Sequence, residues 1–362
     1  MHNAWRVWSR FHTSMRKIWR QGGGAISSSC GTGGNSCGTG DSGGGCGGAA
    51  QATPIAAARV ITKLASRSFL PLLGMLYAIG AMADPLEEPA AATPLRRIVG
   101  QSRTELVRLD DTLLDIAVRH GVGFDGLARL NSEVDTWIPA PGTIVRIPSR
   151  VILPNVQEEG LVINVPEMRL FDFTVANGPE VIAAAVGDAE DPTPTGSFEI
   201  GEKRVDPVWN VPISIQREKP NLPQQVPPGP ENPLGSRWMR IGNTSSGIHG
   251  TNARWSIGRE ATHGCVRLYE VDVQRLFERT PKGTRLDVIY QPYKWGHDGS
   301  RIFFEAHPDR YQRIPDRLAV ALTPMREAGL LNHVDVAKVW QAIDQALGVP
   351  IAVGSLPERE VP

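Results

Sequence analysis

Short apolar runs separated by turn residues constrain the fold of this chain more than any other feature. Between residues 155 and 291 these runs are rich in β-branched side chains and have the length of strands. Asn177-Gly178 supplies a tight turn between two of them, and one helical period is carried by Val273, Leu276 and Phe277. Many short strands with one short helix predict a mainly β domain over residues 155–291, folded as a β-sandwich or a barrel.

Six strands are expected within this domain. Each is bounded by residues that favour turns. They are 161–165, 169–175, 181–186, 196–200, 237–241 and 285–290. A Pro-rich segment with six prolines lies between Lys219 and Leu234. Because proline cannot donate to a strand ladder, this segment is expected to be a stiff surface loop, either a lid beside a site or a plain connector.

The candidate nucleophile of the domain is Cys265, the only cysteine after residue 46, in Thr-His-Gly-Cys-Val-Arg over residues 262–267. Structural cysteines of exported proteins are normally paired, so a single thiol beside histidines is either a tolerated buried side chain or a nucleophile. A thiol attacks as the thiolate, and its free pKa of about 8.5 requires a neighbouring base or positive charge. His249 is the expected base, with His263 as the competitor. These residues predict a cysteine acyl-transfer enzyme.

Neighbouring residues have candidate roles in the same chemistry. Gly264 permits unusual backbone torsions and close approach of a substrate, so the amides of Gly264 and Cys265 are candidates for an oxyanion site. Arg267 is a candidate for binding a carboxylate or bracing the loop. Two alternatives stay open, namely a structural cysteine–histidine pair and a zinc site made by two histidines and one cysteine. The zinc hypothesis lacks a second pair at short spacing.

The argument from the unpaired cysteine applies only if the protein is exported to an oxidising compartment. Residues 60–83 have the pattern of a Sec-type signal peptide. Basic residues precede an apolar run over 69–82, and Ala81-Met82-Ala83 is a small-x-small cleavage site. The run is shorter than the roughly 20 residues of a spanning helix, so no integral membrane segment is expected after cleavage. This predicts a periplasmic protein.

Residues 1–59 are a low-complexity extension in front of that signal. Signal peptides rarely begin so deep in a chain, so translation is expected to start later, near Val60. The alternatives are a disordered extension or a metal-binding cluster of Cys30, Cys37 and Cys46. Their spacings of seven and nine residues differ from the short paired spacing of zinc sites.

The net charge of the chain limits which classes of binding partner are expected. Without residues 1–83 the chain carries 30 basic and 37 acidic side chains, a net charge of about −7. Nucleic acid is therefore not expected as a partner. The remaining 279 residues have room for two or three small domains, on a prior of roughly 100–200 residues each.

A linker and a small module precede the β-rich domain, and an accessory segment follows it. Residues 84–100 begin as a Pro/Ala linker. Residues 101–150 predict strand, two helices and strand, an α+β mini-domain in which Asp111 and Asp125 are the candidate helix caps. Residues 292–362 are a C-terminal accessory segment with a strand-like stretch and a helix over 334–347. The apolar face of that helix is expected to pack into a core, with partner binding as the alternative.

The mini-domain resembles a LysM domain, the fold that binds glycans containing N-acetylglucosamine. Asp110 stands where that family usually has glycine, and the usual aromatic residue of the first strand is missing. A spacer without a ligand is the alternative. The matching residues are Asp111-Thr112-Leu113, Ile116-Ala117, Asn131, Pro141-Gly142-Thr143 and Ile147-Pro148.

The β-rich domain resembles the L,D-transpeptidase family with the YkuD-type catalytic domain, and within it the ErfK/YbiS group. Thr262 stands where the family commonly has serine, and both supply a hydroxyl. The matching stretches are 193–198, 227–235, 248–252, 255–258 and 262–267.

The resemblance implies specific roles for the site residues. Cys265 is the nucleophile, His249 the base, and the backbone carbonyl of Gly250 orients that histidine. His263 and Gly264 belong to the oxyanion wall, and Arg267 holds the loop or the substrate. No metal or organic cofactor is expected.

The resemblance also implies a substrate. The donor is a peptidoglycan stem tetrapeptide, which loses its terminal D-alanine when the thioester forms. The acceptor is another stem peptide, giving a 3→3 cross-link, or a lysine of an outer-membrane protein. Water as acceptor would make the protein a hydrolase. The alternative from another class is a non-catalytic wall-binding protein in which the glycan module acts alone.

Overall fold

A computed structural model of the protein describes residues 94–357. The expected extension (1–59), the signal peptide (60–83) and residues 84–93 of the linker lie outside the described residues. Within the described range, no helix combines the length and the apolarity that crossing a membrane requires.

Strands dominate the described chain. They are β1 (Arg96–Val99), β2 (Arg103–Leu106), β3 (Ile144–Ile147), β4 (Val151–Ile152), β5 (Leu161–Asn164), β6 (Arg169–Asp172), β7 (Glu180–Gly187), β8 (Gly196–Val205), β9 (Trp209–Asn210), β10 (Gln225–Val226), β11 (Arg237–Ile241), β12 (Gly247–His249), β13 (Glu260–Thr262), β14 (Val266–Leu268), β15 (Arg285–Ile289), β16 (Tyr293–Asp298), β17 (Arg301–Ala306) and β18 (Ile351–Ser355).

The helices lie mostly between groups of strands. They are α1 (Leu113–His120), α2 (Phe124–Leu130), α3 (Ile213–Glu218), α4 (Glu270–Arg279), α5 (Arg317–Glu327) and α6 (Val336–Gln345), with single 3₁₀ turns at Arg254–Ser256 and Leu331–His333.

A nine-stranded sheet closes on itself to form a barrel. Its strand order is β13-β7-β14-β12-β11-β8-β15-β5-β6, and an additional pairing of β6 with β7 completes the closure. The barrel is filled by fully buried apolar side chains such as Ile163, Met239 and Ile248. Helix α4 covers it with Val273 and Leu276, which are also fully buried. The prediction of a mainly β domain is confirmed, and the barrel is the form it takes, with the short helix α3 in addition to the predicted helix α4.

Two strands differ in length from the sequence prediction. Strand β6 ends at Asp172, three residues early, because the Asp172 carboxylate accepts hydrogen bonds from the backbone N–H and the hydroxyl of Thr174 and turns the chain. Strand β8 continues to Val205, five residues further than expected, because β11 pairs with its second half.

The LysM-like module consists of the antiparallel pair β2–β3 with α1 and α2 packed on it. The expected helix caps are wrong. Thr112 caps α1 and forms a capping box with Asp115, and α2 begins after Gly123, which leaves Asp125 inside the helix. Asp110 has a φ of 66°, so it adopts the left-handed conformation for which glycine is the usual residue.

The C-terminal segment contains a sheet as well as helices. Its five strands follow the order β18-β17-β16-β1-β4, so β1, from the end of the expected linker, is built into it. Strand β1 pairs in parallel with β16 through Arg96 and Gly296. Helix α6 buries Val339 and Ile343 against this sheet, as expected for a packed helix, whereas Trp340 is 47% exposed.

Candidate active site

Strand pairing places the predicted nucleophile and base on neighbouring strands. Strands β12 and β14 are parallel neighbours in which Ile248 pairs with Val266 and His249 with Arg267. One step back along this register, Cys265 lies beside Gly247. Since Ile248 and Val266 point into the barrel core, alternation turns His249, Cys265 and Arg267 to the opposite face. These three side chains, the thiol cluster, therefore share one face of the sheet.

A tight turn presents Cys265 at the start of β14. The hydroxyl of Thr262 donates a hydrogen bond of 2.6 Å to the carbonyl of Cys265, which closes the turn. Gly264 has a φ of 87°, a conformation that residues with a Cβ rarely adopt. The hydroxyl at position 262, which either serine or threonine can supply, thus has a structural role. At position 264 the backbone conformation requires glycine.

The hydrogen bond of His249 fixes its tautomer. Its Nδ1 lies 2.6 Å from the carbonyl oxygen of Gly250. A carbonyl only accepts, so Nδ1 carries the proton and the neutral ring keeps a lone pair on Nε2. Burial lowers the pKa of His249 to about 4, and the neighbouring Arg267 adds to this effect, against the hydrogen bonds to the backbone of Gly250 and Leu234. At neutral pH the imidazole is a neutral base.

The thiol of Cys265 is free and only partly accessible. Burial raises its pKa above the ordinary value, while the backbone of Gly247 and the charge of Arg267 act in the opposite direction. The sulfur therefore rests as a thiol, beside groups that stabilise its anion. This resting state differs from a preformed thiolate–imidazolium pair, and it requires that a proton leave during attack.

Arg267 supplies the positive charge of the site. Its Nε is buried and has no hydrogen-bond partner among residues 94–357. Burial lowers the pKa of this guanidinium, and the Cys265 thiolate would raise it. The cation therefore favours the anionic form of the sulfur and disfavours protonation of His249.

His263 points away from the thiol cluster. Its side chain is partly exposed, and its Nδ1 donates to the carboxylate of Asp191 at 2.8 Å. Its Nε2 lies 3.9 Å from Glu218 at the end of α3. The tight turn thus directs His263 to the surface beside the nucleophile, where it can contact a substrate but not replace His249.

The connection between β8 and β11, residues 206–236, borders the site. It contains the Pro-rich segment, and the backbone of its Leu234 acts to raise the pKa of His249. Its end is tied to α4, because the Glu270 carboxylate accepts from the backbone N–H of Ser236 at 3.1 Å and from its hydroxyl at 2.7 Å. A Cβ at Gly250 would collide with the same carboxylate. Glu270 therefore holds this connection against the peptide that orients His249.

Several of these partners escape sequence reasoning. Asp191 and Glu270 are distant in sequence from the residues they contact, and neither lies in a motif with a fixed spacing. The contribution of Gly247 comes from its backbone, which composition cannot reveal. In contrast, His249, Gly250, His263, Gly264, Cys265 and Arg267 all lie in the two predicted motifs.

The geometry does not support a zinc site at Cys265. Within the described chain, one group of three potential ligands lies close enough for a metal ion, and it comprises Glu167, Glu305 and His307 rather than the cysteine. Even there the ammonium of Lys294 lies 2.8 Å from Glu167 and 3.1 Å from Glu305. A lysine thus supplies the positive charge that a metal would bring.

These buried residues form the junction cluster, which joins the barrel to the C-terminal sheet. Its side chains form hydrogen bonds and ion pairs with one another. They are Glu167, Arg169, Lys294, Glu305 and His307. No sequence motif indicates that His307 belongs to a cluster.

Comparison with known proteins identifies the families of the two domains. The sequence model of the L,D-transpeptidase catalytic domain matches residues 158–288, and that of the LysM domain matches residues 106–148. The chain is 34% identical over 303 residues to the probable L,D-transpeptidase ErfK/SrfK of Salmonella typhimurium, a match covering 79% of this chain and 96% of the relative.

Two Escherichia coli proteins are similar as well. The probable L,D-transpeptidase YbiS is 36% identical over 222 residues, which cover 58% of this chain and 72% of the relative. The probable L,D-transpeptidase YcfS is 30% identical over 294 residues, which cover 76% and 90% respectively. With its closed β-barrel and the N-terminal LysM domain, the chain belongs to the L,D-transpeptidase family with the YkuD-type catalytic domain.

Proposed function

We propose that the protein is a periplasmic L,D-transpeptidase that transfers an acyl group from a peptidoglycan stem tetrapeptide through a thioester on Cys265. The observation that carries this proposal is the parallel register of β12 and β14, which turns His249 and Cys265 to the same face. The hydrogen bond from His249 Nδ1 to Gly250 supports it, because it places the ring proton on Nδ1 and the lone pair that accepts a proton on Nε2.

The reaction proceeds in two transfers. The Cys265 sulfur attacks the carbonyl of the third stem residue while His249 takes the thiol proton. The tetrahedral intermediate collapses, the imidazolium returns the proton to the departing amine, and D-alanine leaves with a thioester behind. An acceptor amine then attacks the thioester, its proton passes to His249, and the sulfur departs as thiolate and is reprotonated.

Charge stabilisation accompanies these steps. Amides at Gly264 and Cys265 would face the oxyanion, with His263 at the wall, as in the resemblance set out above. Arg267 stabilises the thiolate each time the sulfur becomes anionic, which agrees with its lowering effect on the pKa of Cys265. All of these groups belong to the chain itself.

The direct test measures D-alanine release. The full-length protein is incubated with disaccharide tetrapeptides, and released D-alanine and the enzyme adduct are followed by mass spectrometry. We expect release with the wild-type protein and none with Cys265→Ala, since no other cysteine lies in the described chain. His333→Ala, in the 3₁₀ turn of the C-terminal segment, is the matched control and should retain the wild-type rate. Release by Cys265→Ala at the wild-type rate would refute the role of the thiol.

The acceptor is decided by the products. Stem peptides as acceptor give 3→3 linked dimers, an outer-membrane protein lysine gives a protein bound to the wall, and water gives free tripeptide. We propose transfer to an amine, either a stem peptide or such a protein, with hydrolysis as the alternative. Mass spectrometry of digested walls from cells with and without the protein distinguishes the three. If the protein itself binds the wall but none of these three products forms, the non-catalytic alternative is favoured.

We further propose the domain division given above, with a signal peptide at 60–83 and glycan binding by the LysM domain at 101–150. Glycan binding is supported by exposed apolar residues in the loops that flank the helices, where Leu109 is 77%, Trp137 52% and Ile138 73% exposed. Trp137→Ala should weaken cosedimentation with peptidoglycan sacculi and leave D-alanine release from soluble muropeptides unchanged. Equal cosedimentation of both proteins would support a spacer role.

A further inference from the structure

A residue of the C-terminal segment reaches the catalytic domain beside the nucleophile. The catalytic-domain match ends at residue 288, and the comparisons assign no role to the chain beyond it. Yet the hydroxyl of Tyr311 contacts the loop that connects β7 to β8. Residues 187–193, which comprise the last residue of β7 and the first six residues of that loop, are called the wall loop because they lie along the cysteine turn.

The wall loop contacts three successive residues of the cysteine motif. The backbone N–H of Asp188 donates to the carbonyl of Thr262 at 3.1 Å. Asp191 accepts the hydrogen bond of His263 at 2.8 Å. The carbonyl oxygen of Pro192 lies 3.4 Å from the place where a Cβ on Gly264 would stand. The position of this loop therefore fixes one side of the turn that presents Cys265.

One hydroxyl ties both ends of the wall loop together. Tyr311 donates to the carbonyl of Gly187 at 2.7 Å and accepts from the backbone N–H of Thr193 at 3.3 Å. The N–H of Gly187 in turn donates to the hydroxyl of Thr193 at 2.8 Å, and Thr193 is only 1% exposed. Without the Tyr311 hydroxyl, a buried N–H and a carbonyl would lose their partner.

Tyr311 is itself held firmly. Its backbone N–H donates to the hydroxyl of Tyr290 at 2.8 Å, and that hydroxyl donates to Asp309 at 2.6 Å. The rings of Tyr290 and Tyr311 stack with centroids 5.5 Å apart. The preceding Arg310 hydrogen-bonds the carbonyl of Pro166 and the carboxylate of Glu260, both at 3.2 Å. The C-terminal segment thus anchors the tyrosine to the barrel on several sides.

We propose that Tyr311 is a positioning residue for acyl transfer, through which the C-terminal segment holds the wall loop in register with the cysteine turn. The inference rests on the proposed function of Cys265. Because the turn must place sulfur and amides accurately as charge develops, a displaced loop affects the acylation step more than the binding of the donor. A misplacement of about 1 Å near a reacting centre costs up to roughly a hundredfold in rate.

The test compares Tyr311→Phe with Tyr293→Phe in the full chain. Tyr293 is also in the C-terminal segment and half-buried, and its hydroxyl has no hydrogen-bond partner among residues 94–357, so it is the matched control. Acylation by the carbapenem meropenem is followed by mass spectrometry over a range of concentrations, which separates the limiting rate from the half-saturating concentration. Hydrogen–deuterium exchange reports the wall loop, and thermal unfolding reports stability.

We expect Tyr311→Phe to lower the limiting acylation rate by about tenfold to a hundredfold with a half-saturating concentration within about twofold of the wild type. Exchange should increase in residues 187–193 and not elsewhere in the barrel. Tyr293→Phe should match the wild type in both respects. This combination supports positioning through the wall loop.

Three other results overturn the inference, and they are distinguishable. Absence of an adduct on the wild-type protein would refute the proposed function and this inference with it. Acylation of Tyr311→Phe at the wild-type rate, with a reactive wild type, would refute only the inference. A rate loss shared by Tyr293→Phe, or accompanied by faster exchange throughout the barrel, would give Tyr311 a general structural role instead.

Discussion

The thiol cluster and the junction cluster are both buried, but they differ in how completely their charges are satisfied. In the junction cluster two carboxylates meet Lys294, Arg169 and His307 in mutual hydrogen bonds. In the thiol cluster the Nε of Arg267 has no partner within the described chain, Cys265 rests as a thiol, and His249 rests neutral. Complete satisfaction stabilises a domain junction, whereas incomplete satisfaction leaves groups ready to exchange a proton.

The pKa shifts in the two clusters follow from this difference. Lys294 and His307 lower the pKa of Glu305 to about 2 despite its burial, so it stays ionised. Cys265 has no hydrogen-bonding cation, and burial raises its pKa. Burial opposes the charge in both clusters, and only the junction cluster has partners that overcome it. Substitutions in the thiol cluster should therefore lower activity, whereas substitutions in the junction cluster should lower stability.

The largest expected effect distinguishes the two buried histidines. His249→Gln should reduce acylation by a carbapenem by roughly 10²–10⁴-fold, the usual contribution of a general base. His307→Gln should leave the rate per folded molecule unchanged and lower stability, since His307 donates to Glu305 at 2.8 Å. Rates from mass spectrometry and unfolding by urea provide the comparison. Equal rate losses in both variants would remove the functional distinction between the clusters.

The next effect concerns the cation of the junction cluster. Lys294 is 1% exposed, and Lys294→Met would leave Glu167 and Glu305 short of a positive charge in the interior. Loss of one partner of a buried ion pair costs about 3–5 kcal/mol of unfolding free energy. The control is Lys338→Met, since that side chain is 57% exposed and pairs only with Asp335 among the described residues. A urea unfolding midpoint equal to that of the control would contradict the proposed role of the cluster.

Acidification should titrate His249 of the thiol cluster and Glu305 of the junction cluster over different pH ranges. The folded pKa of His249, about 4, lies below its ordinary 6.5, so its unfolded form binds a proton first as the pH falls. The contribution of the neutral His249 to the free energy of unfolding is complete above about pH 6.5. It falls by about 3 kcal/mol as the pH approaches 4. Glu305 likewise contributes above its ordinary pKa of 4.5, and this is lost as the pH falls towards about 2.

Unfolding measured between pH 7 and pH 3 separates these ranges. His249→Gln should reduce the loss of stability between pH 6.5 and 4, where His307, whose pKa is also lowered by burial, contributes the remainder, and leave the loss at lower pH. Glu305→Gln should have a lower stability at neutral pH. It should retain the loss of stability between pH 6.5 and 4 and remove the loss at lower pH. If His249→Gln retained the full loss above pH 4, another group would titrate in that range and His249 would not be buried as the neutral base.

The sequence predicted the thiol cluster far better than the junction cluster, for a physical reason. His249 and Cys265 lie in short motifs because one turn and one strand end must present them, so their neighbours in sequence are also constrained. Glu167, Lys294 and His307 come from separate strands and loops, and only the packing of the C-terminal sheet on the barrel brings them together. No local pattern records such a meeting.

The fold shows the same contrast between local and long-range information. Alternation predicted β11 at 237–241 and the face of α4, because both depend on local periodicity. It did not predict that β1 would join β16, since that pairing spans some 200 residues. The caps at Thr112 and Gly123 were missed by one or two residues, because neighbouring polar residues offered equivalent candidates.

The smallest expected effect comes from Arg267, the unsatisfied cation of the thiol cluster. Arg267→Met removes the charge that lowers the pKa of both Cys265 and His249, so both values should rise. Thiolate absorbance against pH reports the first and NMR titration of the imidazole the second. Since one pKa unit corresponds to a factor of ten, we expect acylation at pH 7 to slow by about tenfold.

The exposed Arg254, on the 3₁₀ turn, provides the control as Arg254→Met. If the Cys265 titration moved no further in Arg267→Met than in that control, the guanidinium would act by bracing the turn and not through its charge. A rise in both pKa values would instead show that the thiol cluster depends on the charge of Arg267, which no carboxylate of the described residues neutralises. That is the feature the junction cluster lacks, because there each positive charge lies against a carboxylate.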